Sequence, residues 1–380
     1  MQEIHLEPWE KISDELQKWL PIIEEKKYPE ISEEPELGKV YRMYPAGCLS
    51  GNGTRFHGNL RLGKYPGKLL IFFNGGGVSW NEYTAARPNN LFTSHLPDSY
   101  YFNTTDWMGD YPLNNSIFAA RDDNPFQEWT IINIPYSTGD FHCGAGDFPY
   151  IALNDTQRTL PHHGYLNTIA LLRMAKRWVK SPETLLIAGV SAGGFGVSLM
   201  AEDVISEFPE CADITCVVDS SLLLKEDWSR VAREVWHSPE HIWKRLIGDN
   251  ITLDSYSALY QKFGSRVKYL FASSTRDALL VQAQNALYGK VQFYDKASGL
   301  SYQSTLNEMC NKLVERIPTA GLYIFEHPMN EREYHEAELT MHCILDSAHM
   351  FEHREEGKTA CEWIMSALHG RVERIGLGHL

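Results

Sequence analysis

Residues 184–196 read TLLIAGVSAGGFG, and the reading of this stretch decides the fold. The apolar run Leu185-Leu186-Ile187-Ala188 suits a buried strand, and Gly189-Val190-Ser191-Ala192-Gly193 follows it as G-x-S-x-G. Beyond the turn, Val197, Met200 and Val204 recur at helical spacing. Strand, sharp turn and helix around that pentapeptide predict a nucleophile elbow. The glycines are needed sterically, because side chains two residues before and after the serine would collide. Ala192 offers its backbone N–H at the helix start, where negative charge is stabilised. The plainer reading is a glycine-rich turn with a surface serine; the strand before it and the helix after it favour the elbow.

Working outward, apolar runs recur at Lys68 to Phe73, Trp129 to Ile134, Ile214 to Val218, Val267 to Ala272 and Leu322 to Phe325. Helical patterns alternate with them, from His162 to about Trp178, within 222–264 and over 301–316, and 358–369 closes the chain as a helix. Val40 to Leu62 predicts two strands around a turn, and Glu336 to Met341 a last strand. The alternation predicts an α/β, α/β-hydrolase-like fold: a mostly parallel central sheet with helices on both faces. Residues 8–27 form an amphipathic stripe (Trp9, Ile12, Leu16, Leu20, Ile23), and the acidic 29–36 stretch reads as a linker. The expected division is therefore a helical extension over 1–37 and a catalytic domain over 38–380. Residues 82–128 are loop-like and rich in aromatics, including Tyr100, Tyr101, Phe102, Trp107 and Tyr111. A connection of that length suggests a binding loop or lid.

A net charge of −14 argues against nucleic acid and anionic membranes as partners, and disfavours a polyanionic polymer as substrate. The acidic N-terminus lacks the pattern of a signal peptide, and no apolar run is long enough to span a bilayer. Seven scattered cysteines without C-x-x-C read as buried thiols in a reducing compartment, so the expected location is cytoplasmic.

A serine nucleophile needs a base, a carboxylate to orient that base, and donors for the oxyanion. Downstream of Ser191, Asp219 and Asp277 stand at predicted strand ends, and His342 and His349 lie near the last one. Upstream, Asn74-Gly75-Gly76-Gly77-Val78 follows a strand, and consecutive glycines allow backbone N–H groups to converge on one point. A phosphate cradle is the alternative, but no G-K-[ST] follows. In PYSTGDFHCG (135–144), Tyr136, Thr138, Asp140 and His142 either line the pocket mouth or form a turn that supports the glycine loop. His162 and His163 read as helix-start and packing residues, since no carboxylate or thiolate cluster completes a metal site.

Several of these pieces together resemble the pectin acetylesterase and Notum family of carboxylesterases. They are FFNGGGVSW (72–80), NPFQEWTIINIPYSTGDFHCG (124–144), HHGYLN (162–167), IAGVSAGGFG (187–196), VVDSS (217–221) and HCIL (342–345). The resemblance implies a serine esterase that removes acyl groups and needs no cofactor or metal. It assigns Ser191 as nucleophile, Asp277 as acid and His342, in the H-C-x-L form of bacterial-type members, as base. It assigns Gly76, Gly77, Val78 and Ala192 as oxyanion donors. Trp80, Tyr136, Asp140 and His142 are the expected substrate-binding candidates. Many members carry Trp-Cys where this chain has Val78-Ser79, which reshapes the acyl pocket. The expected activity is removal of O-acetyl or other short acyl groups from a carbohydrate or related alcohol through an acyl-enzyme. The alternatives are an acyltransferase using the same triad and a non-catalytic binding protein.

Overall fold

The computed structural model describes residues 28–90, 98–105, 110 and 116–380. The amphipathic 8–27 stretch, Trp107 and Tyr111 lie outside them. Nine strands form the central sheet: β1 (Val40–Met43), β2 (Gly58–Arg61), β3 (Tyr65–Phe73), β4 (Trp129–Ile134), β5 (Thr184–Val190), β6 (Asp213–Asp219), β7 (Val267–Ser274), β8 (Gly321–Phe325) and β9 (Arg374–Ile375). Their order across the sheet is β1-β2-β4-β3-β5-β6-β7-β8-β9. Only β2 runs antiparallel to its neighbours; every pair from β4 to β9 is parallel.

Side-chain alternation explains why these strands read as unbroken apolar runs. In β3, Leu69, Ile71 and Phe73 enter one core and Leu70 and Phe72 the other. In β5, Leu185 and Ile187 face the first, and Leu186, Ala188 and Val190 the second. A sheet buried on both faces has no polar face to show in its sequence. The first face carries α1 (Gly164–Ala175), α2 (Ala192–Glu207), α3 (Ile251–Phe263), α4 (Ala278–Leu287) and α5 (Lys296–Arg316). The second is covered by α6 (Ala360–Leu368) and by Cys343, Ile344, Leu345 and Met350. Trp363 of α6 is fully buried and donates its indole N–H to the Glu373 carbonyl at 3.0 Å.

Three local readings are corrected. Residues 336–341 are not a strand: Arg332–Glu336 is a short helix, and Thr340 makes only single bridges, to Asp277 and Pro328. His162 does not open α1, because it ends a hairpin of Gly146–Ile151 and Gln157–His162, and the helix begins at Gly164. Within the 29–36 stretch, the Pro29 carbonyl and Ile31 N–H pair with the backbone of Arg42, and the Glu33 carbonyl accepts from the Trp178 indole. All seven cysteines are buried and unpaired.

Candidate active site

β5 ends at Val190, and Ser191 adopts φ 54° and ψ −125°, a conformation few side-chain-bearing residues tolerate. Such strain costs on the order of 1–3 kcal/mol and persists only where surrounding bonds hold it. Here they do. The Ser191 N–H donates to the Asp219 carbonyl at 2.9 Å, and its own carbonyl accepts from Gly194 at 2.9 Å and from the Ser221 hydroxyl at 2.7 Å. The flanking glycines match the steric argument. A Cβ on Gly189 would lie 2.4 Å from the Gly193 carbonyl oxygen, and one on Gly193 2.0 Å from that of Phe73.

Asp277 follows β7 and is the N-cap of α4, its Oδ1 accepting the Leu280 N–H at 3.0 Å. The chain returns past it at Thr340, whose N–H and carbonyl pair with the Arg276 carbonyl and Ala278 N–H at 3.0 Å each. That pairing delivers His342, whose Nδ1 lies 2.9 Å from Oδ1 and 2.8 Å from Oδ2 of Asp277. A carboxylate can only accept, so Nδ1 carries the proton and Nε2 of the neutral ring keeps its lone pair. Burial disfavours the imidazolium, but the Asp277 charge and hydrogen bond, with the charges of Asp346 and Asp219, together outweigh it and hold the His342 pKa above the ordinary histidine value. His349 lies elsewhere: it begins the short helix His349–Glu352, its ring centroid 4.3 Å from that of His327.

Asp219 ends β6, and its Oδ2 accepts the N–H groups of Ile344 at 2.8 Å and Leu345 at 2.9 Å. Its Oδ1 accepts the Ser220 hydroxyl at 3.0 Å, and Ser220 Oγ in turn accepts the Cys343 N–H at 3.1 Å. Burial pushes the Asp219 carboxyl up to about 7 despite the two N–H donors. These bonds fix the backbone that follows His342, where Cys343 sits at φ 59°.

The glycine loop passes close to the elbow, where a Cβ on Gly75 would lie 2.7 Å from that of Ser191. Gly77 has φ 78°, and a Cβ there would fall 1.9 Å from the Tyr100 carbonyl oxygen. One expected donor is corrected: the Val78 N–H donates to the Tyr100 carbonyl at 2.7 Å, so it is not available to an oxyanion. The cause is the bridge between Gly77 and Tyr101, which also draws the Phe102 N–H onto the Gly76 carbonyl at 2.8 Å. The N–H groups of Gly76 and Gly77 have no backbone acceptor among the described residues. Ala192, as the first residue of α2, has no intrahelical acceptor either.

Two substrate-binding candidates are corrected likewise. Asp140 is fully buried, accepting from the Thr138 hydroxyl at 2.7 Å, the His142 N–H at 3.1 Å and the Gly164 N–H at 2.8 Å. His142 is 2% exposed and donates Nε2–H to the Asn74 carbonyl at 2.9 Å. Burial lowers its pKa to about 4, which keeps it neutral and donating. Neither lines the cavity; together they brace the glycine loop against α1 and the sheet, which is the second of the two readings of 135–144. His162 is of the same kind: it donates Nδ1–H to the Thr138 carbonyl at 2.7 Å, and burial takes its pKa down to about 3.

Ser191 and His342 open into one cavity of about 510 Å³, which Gly76, Gly77, Val78, Ala192, Trp80 and Tyr136 also line. Trp80 meets Tyr100 edge to face, their ring centroids 5.2 Å apart. Sequence reasoning missed the apolar part of the lining formed by Leu279, Leu280, Ala283 and Leu287 of α4. The signal was present, since an aspartate followed by Ala278-Leu279-Leu280-Val281 is a capped helix start. It also missed Asp346, four residues after His342. No cluster among the described residues could hold a metal ion.

The sheet is α/β-hydrolase-like, and a serine elbow and a carboxylate-paired histidine open into one cavity beside it. The pectinacetylesterase family profile matches residues 39–246, more than half of the chain, and the protein belongs to that family. The match takes in the glycine loop and the elbow and stops before Asp277. Among solved structures, that of the Wnt deacylase Notum from Drosophila aligns with a TM-score of 0.60 at 14% identity. The alignment covers 88% of this chain and 95% of that one, and at this identity the likeness is one of fold. No curated protein matches the chain.

Proposed function

We propose that the protein is a serine esterase that removes O-acetyl or other short acyl groups from a carbohydrate or related alcohol. The observations that carry this reading are the His342 Nδ1 contact with Asp277 and the strained Ser191, serine and histidine lining the same cavity. Ser191 Oγ attacks the ester carbonyl while His342 Nε2 takes its proton. The resulting oxyanion is met by the N–H groups of Gly76, Gly77 and Ala192. As the tetrahedral intermediate collapses, His342 returns the proton to the leaving alcohol oxygen and an acyl-serine remains. Water, deprotonated by the same nitrogen, attacks the acyl-serine; as this second intermediate collapses, His342 returns the proton to Ser191 Oγ and the carboxylic acid is released. Asp277 keeps the imidazole in the required tautomer and stabilises its charged form.

The apolar wall of α4 favours a second reading of the acyl group, since a cavity of about 510 Å³ exceeds what an acetyl group fills. A kcat/KM series over 4-nitrophenyl esters from acetyl to decanoyl decides between them. The short-acyl reading predicts a maximum at two to four carbons, and a preference for octanoyl by tenfold or more would overturn it. Ser191→Ala should reduce kcat on the best of these esters by ~10³-fold or more while the protein stays folded. Turnover like that of the wild type in that variant would remove the mechanism.

A further inference from the structure

The charge on the cavity wall is lopsided. Among the described lining residues the ionisable acids are Asp98 and Asp346, and no lysine or arginine joins them. Asp98 is already compensated, with Arg87 Nε at 3.3 Å from Oδ1 and the Tyr83 hydroxyl donating to Oδ2 at 2.9 Å. Asp346 reaches the surface and has no hydrogen-bonded or ion-paired side-chain partner among the described residues; burial of its carboxyl within the cavity raises its pKa, a rise that the charge of His342 opposes. It shares the 342–346 turn with His342, whose imidazolium its charge favours. His342 must hand its proton to the leaving oxygen, so groups beside it face the alcohol half of the ester and not the acyl half. The other polar lining side chains include Asn89, Ser99, Gln282 and Gln292, which hydrogen-bond without charge. Neutral amides and hydroxyls suit a polyol; none of them compensates an anion.

We propose that Asp346 sets specificity for the alcohol half of the substrate: it accepts a hydrogen bond from a neutral polyol hydroxyl near the ester oxygen and excludes alcohols that carry a carboxylate. Uronate esters are thereby rejected and neutral sugar esters accepted. The inference rests on the esterase reading above. Discrimination comes from a repulsive element as much as an attractive one, because an incoming carboxylate meets a like charge with no lysine or arginine among the described lining residues to offset it. The chain's net charge of −14 adds to that repulsion at long range.

The test compares kcat/KM for 3-acetoxybenzoate with that for its neutral isostere 3-acetoxybenzamide, each on the pH plateau of the variant used. The same ratio is taken for the O-acetyl esters of methyl galactoside and methyl galacturonoside. Wild type should favour the neutral member of each pair by tenfold or more, and added salt should narrow the gap. Asp346→Asn should bring the aryl ratio within threefold, chiefly by lowering KM for the anion. Asp346→Ser gives the same readout if the asparagine variant folds poorly. A ratio unchanged by both substitutions, or equal turnover of both members by wild type, overturns the proposal. Failure of the esterase reading is read separately, as aryl ester turnover that survives Ser191→Ala.

Discussion

Strands β6 and β7 lie side by side, and each brings a fully buried aspartate to the same edge of the sheet. The end of β6 turns its carboxylate onto backbone: Asp219 takes the N–H groups of Ile344 and Leu345. The end of β7 turns its carboxylate onto a side chain: Asp277 takes His342 Nδ1 and, through Oδ1, one N–H of its own helix. Position, residue type and burial are shared, so none of them assigns a role; the hydrogen-bond partner does. In the proposed mechanism Asp277 sets the tautomer and charge of the imidazole, whereas Asp219 accepts from the peptide that follows it.

The sharpest break of that comparison is Asp277→Asn. An asparagine still caps α4, so stability should change little, but it no longer forces the Nδ1–H tautomer. We expect a loss on the order of 10⁴-fold in kcat, as for a triad aspartate. If Asp219→Asn is the more damaging of the two for turnover, the roles are reversed. A smaller effect is expected at the brace of the glycine loop. His142→Ala removes the donor to the Asn74 carbonyl and leaves a cavity under the oxyanion donors, so kcat should fall by about 10²-fold with KM less affected. An equal fall in binding and turnover would place His142 in substrate recognition instead. Asp219→Asn comes next, with kcat down by about tenfold. The matching Asp219→Ala should cost about 1–3 kcal/mol in stability, because two buried N–H groups lose their acceptor. His349→Ala should change kcat less than twofold, since His349 packs on His327 away from the cavity.

The pH profile sharpens the same contrast. His342 acts as a base only when neutral, and its pKa is raised, so activity should fall on the acid side with a midpoint above the usual histidine value. Removing the Asp277 charge takes away the largest influence that favours the imidazolium and leaves burial opposed only by the weaker charges of Asp346 and Asp219. The acid limb of the residual activity in Asp277→Asn should therefore move to lower pH. A limb that stays in place would mean that another group titrates there.

What the sequence disclosed follows the range of the interactions involved. The elbow was legible because its residues are local: Gly189, Ser191 and Gly193 lie within five positions, and Gly189 answers a contact inside the turn, although Gly193 answers Phe73 of the neighbouring strand. The parallel sheet was legible because strands buried on both faces are uniformly apolar. Val78 misled because its N–H is claimed by Tyr100, 22 positions away, and a backbone pairing at that separation leaves no periodic signal. Asp140 and His142 misled because polar residues at a strand end look alike whether they face a ligand or brace a backbone. The 336–341 segment has strand composition but pairs at Thr340 alone, and pairing is a property of the neighbour, not of the segment.

The central claim is that Ser191 is the nucleophile activated through His342. Its most direct test is reaction with a fluorophosphonate, followed by intact mass and peptide mapping, in the wild type, His342→Ala and His349→Ala. The account predicts one adduct per chain on the peptide carrying Ser191, formed at similar rates in the wild type and His349→Ala and at least 10²-fold more slowly in His342→Ala. An adduct on another residue, or labelling that depends on His349 and not on His342, would contradict it.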